Sequence, residues 1–262
     1  MNGLHDFEGK DYSQDLEVYD LLFQTSGLPD YFTEKIGESR GLSEQAKHED
    51  FYMTFDELIV RTKQLKPHFA PRTKGKAYYS DINFDILDIV FENVSGMPVA
   101  EAFRQMIFAP LGMDNTYLVT GLDDFVPPVY LNSKEIERPQ VFRTFKSSGG
   151  AVSTARDMMT FLKAFVGGTL FKRETFRMLE TYRSIPSMGP IEYGGGHMRI
   201  SLRTINTLFM GKGALIGHSG STGSFAFYYP EKDLFFVGDL NQIADPSLPI
   251  RLVMQLAMTI RV

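Results

Sequence analysis

Helical and strand patterning are segregated along this chain, and the segregation limits the fold more than any other feature. Before Gly168 the recognisable elements carry helix starts and helical spacing. After Tyr193, β-branched and aromatic residues alternate between turn signals, the pattern of strands. Phe225 to Tyr229 and Leu234 to Leu240 read as two strands. Pro230-Glu231-Lys232-Asp233 joins them as a hairpin loop of common length. Leu248 to Ile260 reads as a closing helix, with Pro249 tolerated in its first turn. The expected class is α/β of the α+β type: an antiparallel sheet flanked by helices, plus a helical subdomain.

The first part supplies that subdomain. Leu16 to Gln24 is a short apolar run that stops at Thr25-Ser26-Gly27-Leu28-Pro29. Thr54 with Glu57 forms a capping-box pattern ahead of a helix over Phe55 to Leu65. Ile82 to Val94 has too many apolar residues for one exposed stripe, so this helix is expected to be buried on most sides. A fourth helix is expected over Val99 to Ile107. An irregular crossing segment with prolines at 127, 128 and 139 follows. Thr154 and Asp157 then open a helix over Ala155 to Phe165, closed by Gly167-Gly168. Residues 1–262 are expected to form one domain, with about 1–150 mostly helical and about 151–262 holding the sheet and its covering helices.

Composition narrows the partners. A hydrophobic share of 43%, a charged share of 23% and a net charge of -5 are ordinary globular values. No run of Lys and Arg offers a footprint for nucleic acid or anionic lipid, and no stretch has the roughly 18 consecutive apolar residues of a spanning helix. The absence of cysteine removes disulfides, thiolate nucleophiles and zinc–cysteine sites. His5, His48, His68, His197 and His218 are scattered without metal-site spacing. No G-x-S-x-G elbow, H-E-x-x-H helix or phosphate-binding glycine loop is present.

Five short segments, weak singly, fall in an informative order. Thr25-Ser26-Gly27-Leu28-Pro29-Asp30-Tyr31 is similar to T-S-G-L-P-D-Y. Tyr79-Ser80-Asp81-Ile82-Asn83-Phe84 resembles Y-S-N-x-N-Y, and Pro110-Leu111-Gly112-Met113 resembles P-L-G-M. Gly149-Gly150-Ala151-Val152-Ser153-Thr154-Ala155-Arg156-Asp157 resembles G-G-L-x-S-T-A-x-D. His218-Ser219-Gly220 falls where K-T-G or H-x-G is expected on a strand. In this order they resemble the serine β-lactamase and penicillin-binding-protein family, which includes DD-peptidases and esterases.

The resemblance implies a β-lactamase/transpeptidase-like fold and acyl transfer to serine followed by hydrolysis, with no cofactor and no metal. Substrate would be a small molecule or peptide: a β-lactam, a D-amino-acid peptide or a small ester. Tyr79 is implied in proton transfer between nucleophile and leaving group. A phenol of ordinary pKa near 10 would need nearby cations to serve as a base. A second Y-x-N, Tyr130-Leu131-Asn132, opens no helix and is set aside. Asp81 stands where the family commonly has asparagine, and an ionised aspartate accepts hydrogen bonds but cannot donate them. It could equally cap the following helix. His218 takes the place of the basic residue, with a charge that depends on pH near neutrality. By analogy Ser219, Gly220 and Ser221 form the substrate and oxyanion segment, with the Ser221 N–H as a donor and Gly220 allowing close approach.

The family's nucleophile and base lie in S-x-x-K, upstream of the T-S-G-L-P landmark. No serine here has lysine three positions later, and only 24 residues precede Thr25. The expectation is a chain that starts downstream of the serine, lacks the first strands and is inactive alone. The alternatives are a non-catalytic relative that binds a ligand or partner, and one fragment of a split enzyme. Leu234 to Leu240 would then be an apolar sheet edge. The chain's own N-terminus, a missing N-terminal fragment or a second copy in a homo-oligomer would cover it.

Overall fold

The computed structural model describes residues 1–204 and 210–260. Six antiparallel strands form the main sheet: β1 Arg183–Ser184, β2 Ile191–Tyr193, β3 Met198–Ser201, β4 Ala214–Ser219, β5 Ser224–Tyr229 and β6 Leu234–Asp239. Their spatial order follows the chain, from β6 at one edge to β1 at the other. The β5–β6 hairpin turns through Pro230–Lys232 and Asp233, where the sequence places it. Asp233 takes a left-handed φ of 51°.

Period-two patterning assigns the two faces of this sheet. Phe236 of β6, Phe227 of β5, Leu215 of β4 and Ile200 of β3 are buried together with Val253, Met254 and Ala257 of the helix Leu248–Thr259. The other face of β5 and β6 meets the helix Ala155–Gly167. There Lys163 Nζ lies 5.5 Å from the Phe235 ring centre.

A second core joins the helical part. Leu21 lies on the helix Val18–Leu22, Leu58 and Ile59 on Phe55–Lys63, and Ile82 and Ile86 on Ile82–Ser95. All pack with Leu28 and Tyr31. The capping box at Thr54 forms as its pattern indicates. Thr54 Oγ1 accepts from the Glu57 N–H at 3.3 Å, and the Glu57 carboxylate accepts from the Thr54 N–H at 2.7 Å.

At Thr154 only half of that arrangement appears. Thr154 Oγ1 accepts from the Asp157 N–H, but the Asp157 carboxylate accepts from the Asn115 N–H and the Thr116 hydroxyl instead. The helix start is thereby tied to the segment after Gly112. The expected helix from Val99 is α-helical over Val99–Phe103, π-helical over Arg104–Phe108 and α-helical again over Ala109–Leu111. Within the helical half lie small pairs that periodicity did not mark. Tyr117–Leu118 pairs with Ala151–Val152, and Val129–Leu131 with Lys134–Ile136. The set-aside Tyr130-Leu131-Asn132 is the turn end of that second hairpin.

The N-terminal residues make no strand of the main sheet. Asp6–Phe7 pairs only with Lys10–Asp11. Among the described residues no helix is long and apolar enough to cross a membrane.

Candidate active site

The site forms where the end of strand β4 meets the extended turn before the helix Ile82–Ser95. That turn is fixed from below by Gln24, a buried residue with a left-handed φ of 58°. Its Oε1 accepts from the Ser80 N–H at 2.9 Å and from Asn83 Nδ2 at 2.5 Å, and its carbonyl accepts from the Tyr78 N–H at 3.0 Å. Ser26 Oγ donates to Asn83 Oδ1 at 2.7 Å, and Ser80 Oγ donates to the Pro29 carbonyl at 2.8 Å. The T-S-G-L-P segment therefore serves as the rest on which the tyrosine turn lies. All these polar groups are buried and satisfied by one another.

Tyr79, projecting from this turn, has its ring centre 6.0 Å from that of His218 on β4. Tyr193, at the end of β2, completes a triangle, with ring centres 5.6 Å from Tyr79 and 5.8 Å from His218. Both contacts of Tyr193 are edge-on, a preferred aromatic geometry. The structure thus packs Tyr79 against His218, with Asp81 beside Tyr79, and adds Tyr193, which the sequence motifs do not single out. Its one sequence signal is its place just before Gly194-Gly195-Gly196, where a strand ends against another element.

Electrostatics here run opposite to the sequence expectation. Burial raises the Tyr79 phenol well above its ordinary range, and the charges of Asp81 and Asp30 add to the rise. With its pKa raised in this way, Tyr79 is a protonated hydrogen-bond donor at neutral pH. Burial likewise raises the Asp81 carboxyl, reinforced by the carboxylates of Asp30 and Asp85. An Asp81 that keeps its proton can donate as the amide it replaces would. It does not cap the following helix through its side chain.

His218 is held neutral, because burial lowers its pKa. Its Nδ1 lies 2.8 Å from the Ser219 carbonyl, an oxygen that can only accept, so Nδ1 carries the proton. Nε2 is then the acceptor for the Tyr193 hydroxyl at 3.4 Å. His218 consequently takes the position of the basic residue without its charge.

Beyond it, Gly217 has a φ of 155°, and a Cβ there would sit 2.0 Å from the Ala226 carbonyl. Only glycine lets β4 run this close to β5. Gly220 donates to the Ser224 carbonyl at 2.8 Å, turning the chain so that Ser221 is exposed. Among the described residues nothing accepts from the Ser221 N–H. Ser219 and Gly220 are partly buried beside it. Among the described residues no group of three or more His, Asp or Glu side chains is arranged to hold a metal.

Comparison with known proteins agrees with this architecture. The family model described as Beta-lactamase matches residues 7–245, and the chain belongs to that family. It is 30% identical over 100 residues to the D-alanyl-D-alanine-carboxypeptidase/endopeptidase AmpH of Escherichia coli (strain K12). That match takes in 38% of this chain and 26% of AmpH, so the chain spans about a quarter of that relative's length. A D-stereospecific amidohydrolase from Streptomyces sp. superposes with a TM-score of 0.73 at 21% identity, covering 97% of this chain and 76% of that one. The octameric penicillin-binding protein homologue from Pyrococcus abyssi gives 0.70 at 22% identity, with 97% and 57% covered. The fold is therefore the β-lactamase/transpeptidase type, with helices and an antiparallel sheet.

Proposed function

We propose that this member of the family provides the proton-transfer and oxyanion half of a serine hydrolase acting on the amide bond of a D-amino-acid peptide or amide. The observation that supports this reading is the packing of Tyr79, with Asp81 beside it, against His218, three residues before Ser221. The names of AmpH and the Streptomyces amidohydrolase favour D-amino-acid amides over β-lactams and small esters.

No serine here has lysine three positions later, so this reading assigns the serine and its lysine to a separate S-x-x-K segment. In the reaction, that serine oxygen attacks the amide carbonyl, and the oxygen that gains charge is met by the Ser221 N–H. Tyr79, protonated at rest, gives its proton to the departing amine as the C–N bond breaks. The proton taken from the serine by its lysine restores the phenol. Water then cleaves the acyl-serine ester, releasing the D-amino acid and regenerating the serine hydroxyl. Asp81 donates to the substrate's amide carbonyl, the part an asparagine would play.

The test is hydrolysis of D-alanine amide and its L-enantiomer by this chain combined with a polypeptide that carries the upstream S-x-x-K segment. Turnover of the D-enantiomer is expected, with Tyr79→Phe slowing it by about 100-fold or more. A Tyr79→Phe complex that retains the full rate would remove Tyr79 from the mechanism.

A further inference from the structure

The Tyr193 hydroxyl heads a directional hydrogen-bond chain that runs into the site. Beside it is Gln24, whose Oε1 is taken up by Ser80 and Asn83 and whose Nε2 donates to the Ser80 carbonyl at 3.3 Å. Its acceptor is His218 Nε2, at 3.4 Å. From the far side of the imidazole, Nδ1–H donates to the Ser219 carbonyl at 2.8 Å. Because each link has a donor and an acceptor that chemistry fixes, the chain has one polarity.

The position of Tyr193 is itself determined by neighbours. Just past it, the Gly195 N–H donates to the Leu179 carbonyl at 2.8 Å, and the Gly196 N–H donates to the Leu22 carbonyl at 3.1 Å. A Cβ on Gly195 would lie 2.6 Å from Leu179 Cδ2 and 3.0 Å from Phe23 Cζ. The end of β2 is thus pressed against the end of the helix Val18–Leu22, which delivers Gln24 to the tyrosine.

We propose that Tyr193 is a positioning residue: through His218 it orients the Ser219 peptide, and with it the Ser221 N–H, toward the reacting carbonyl. The function of the Ser219–Ser221 segment rests on the reading given above; the hydrogen-bond chain does not. Tyr193 gives Nε2 of the buried, neutral imidazole its donor, so a substrate finds there a fixed ring and no free cation. The titratable groups that face the ring are Tyr193 from β2, Tyr79 from the turn before the helix Ile82–Ser95, and His197 at the start of β3. A carboxylate, lysine or arginine does not act on it among the described residues.

A second tyrosine–histidine pair gives an internal control. Tyr182 donates to His197 Nε2 at 2.8 Å, and His197 Nδ1 lies 3.2 Å from the Gly195 carbonyl. Tyr182→Phe removes an equivalent hydroxyl from a neighbouring imidazole while leaving the Tyr193 chain intact.

The experiment is nitrogen-15 NMR of the imidazoles and of the backbone, on the wild-type chain, Tyr193→Phe and Tyr182→Phe. In the wild type, His218 at pH 7 is expected as the Nδ1–H tautomer. In Tyr193→Phe the ring packing survives but Nε2 loses its donor. The proton affinity of His218 should rise about three- to tenfold, because that hydrogen bond favours the neutral form. The backbone order parameters of Gly220 and Ser221 should fall, whereas Tyr182→Phe should leave both quantities unchanged. A wild-type His218 found as the Nε2–H tautomer or as a cation at pH 7 overturns the proposal. So does a Tyr193→Phe chain whose His218 proton affinity stays within twofold of wild type. None of these readouts needs turnover, so they remain decisive if the hydrolase reading fails.

Discussion

Asp81 donates its backbone N–H to Asp30 Oδ1 at 3.2 Å, joining two carboxylate residues that are 51 positions apart in the chain. Their acidic neighbours continue into the helix, with Asp85 and Asp88 one turn and two turns on. Asp85 accepts from Ser148 Oγ at 2.9 Å, and Asp88 from the Ser147 N–H at 3.2 Å. A row of buried carboxyls therefore underlies the site, and burial is the largest influence on each of the four.

Stability should accordingly fall as pH rises, and Asp85 gives the clearest window. Burial, opposed in part by the hydrogen bond from Ser148, raises its pKa to about 7 from an ordinary value of 3.8. The folded state binds this proton more tightly than the unfolded state does. Its contribution is fully present below about pH 4 and is lost as pH climbs through about 7. Asp85→Asn keeps the shape without the charge. Urea unfolding should show wild type losing about 1–3 kcal/mol between pH 5 and pH 8, with Asp85→Asn losing distinctly less. Equal pH slopes for the two proteins would mean that Asp85 is not the group responsible.

Thr54→Ala tests a purely local device. It removes the side-chain oxygen that accepts from the Glu57 N–H and leaves the Glu57 carboxylate with half of its box. The expected cost is about 1 kcal/mol in urea unfolding, because the affected end is exposed. A cost below about 0.3 kcal/mol would show that water replaces the cap without penalty.

Legibility in the sequence followed the range of the interactions. The Thr54 box, the Pro230–Asp233 hairpin and the helix from Ile82 depend on residues a few positions apart, and each could be read directly. The helix from Val99 was legible as a helix, but its π-helical turn at Arg104–Phe108 follows from packing and leaves no periodic mark. The nearness of Tyr79 and His218 was readable only through the order of short motifs, since residues 79 and 218 share no local pattern. Tyr193, Gln24 and Asp30 were missed as site residues because their importance arises where distant segments meet. For the same reason the neutrality of His218 could not be read, as its burial is a tertiary fact.

Without an S-x-x-K segment, the purified chain should not turn over a chromogenic cephalosporin or a p-nitrophenyl ester above the rate of buffer. In the proposed mechanism Tyr79 supplies a proton and Ser221 an oxyanion contact, but neither forms an acyl intermediate. Steady-state assays at micromolar enzyme settle this. Turnover that survives purification and disappears on replacing one serine would identify a nucleophile the motif order does not show.

The outer edge of β6 leads to the last expectation. Its register with β5, together with the Leu240 N–H donating to the Gly223 carbonyl, directs the backbone groups of Phe235 and Val237 outward. Among the described residues no strand pairs with them, and the N-terminal hairpin Asp6–Phe7/Lys10–Asp11 is not used to cover them. An unpaired, largely apolar edge is a template for another strand. Two copies of β6 running antiparallel about Val237 would place Asp239 of one opposite Phe235 of the other, near the Lys163 that lies over that ring. Self-association at micromolar concentration is therefore expected in sedimentation velocity. Val237→Pro removes an outward N–H, a change edge strands tolerate, and should yield monomer with the fold intact by circular dichroism. A wild-type chain that sediments as a clean monomer would rule out this pairing.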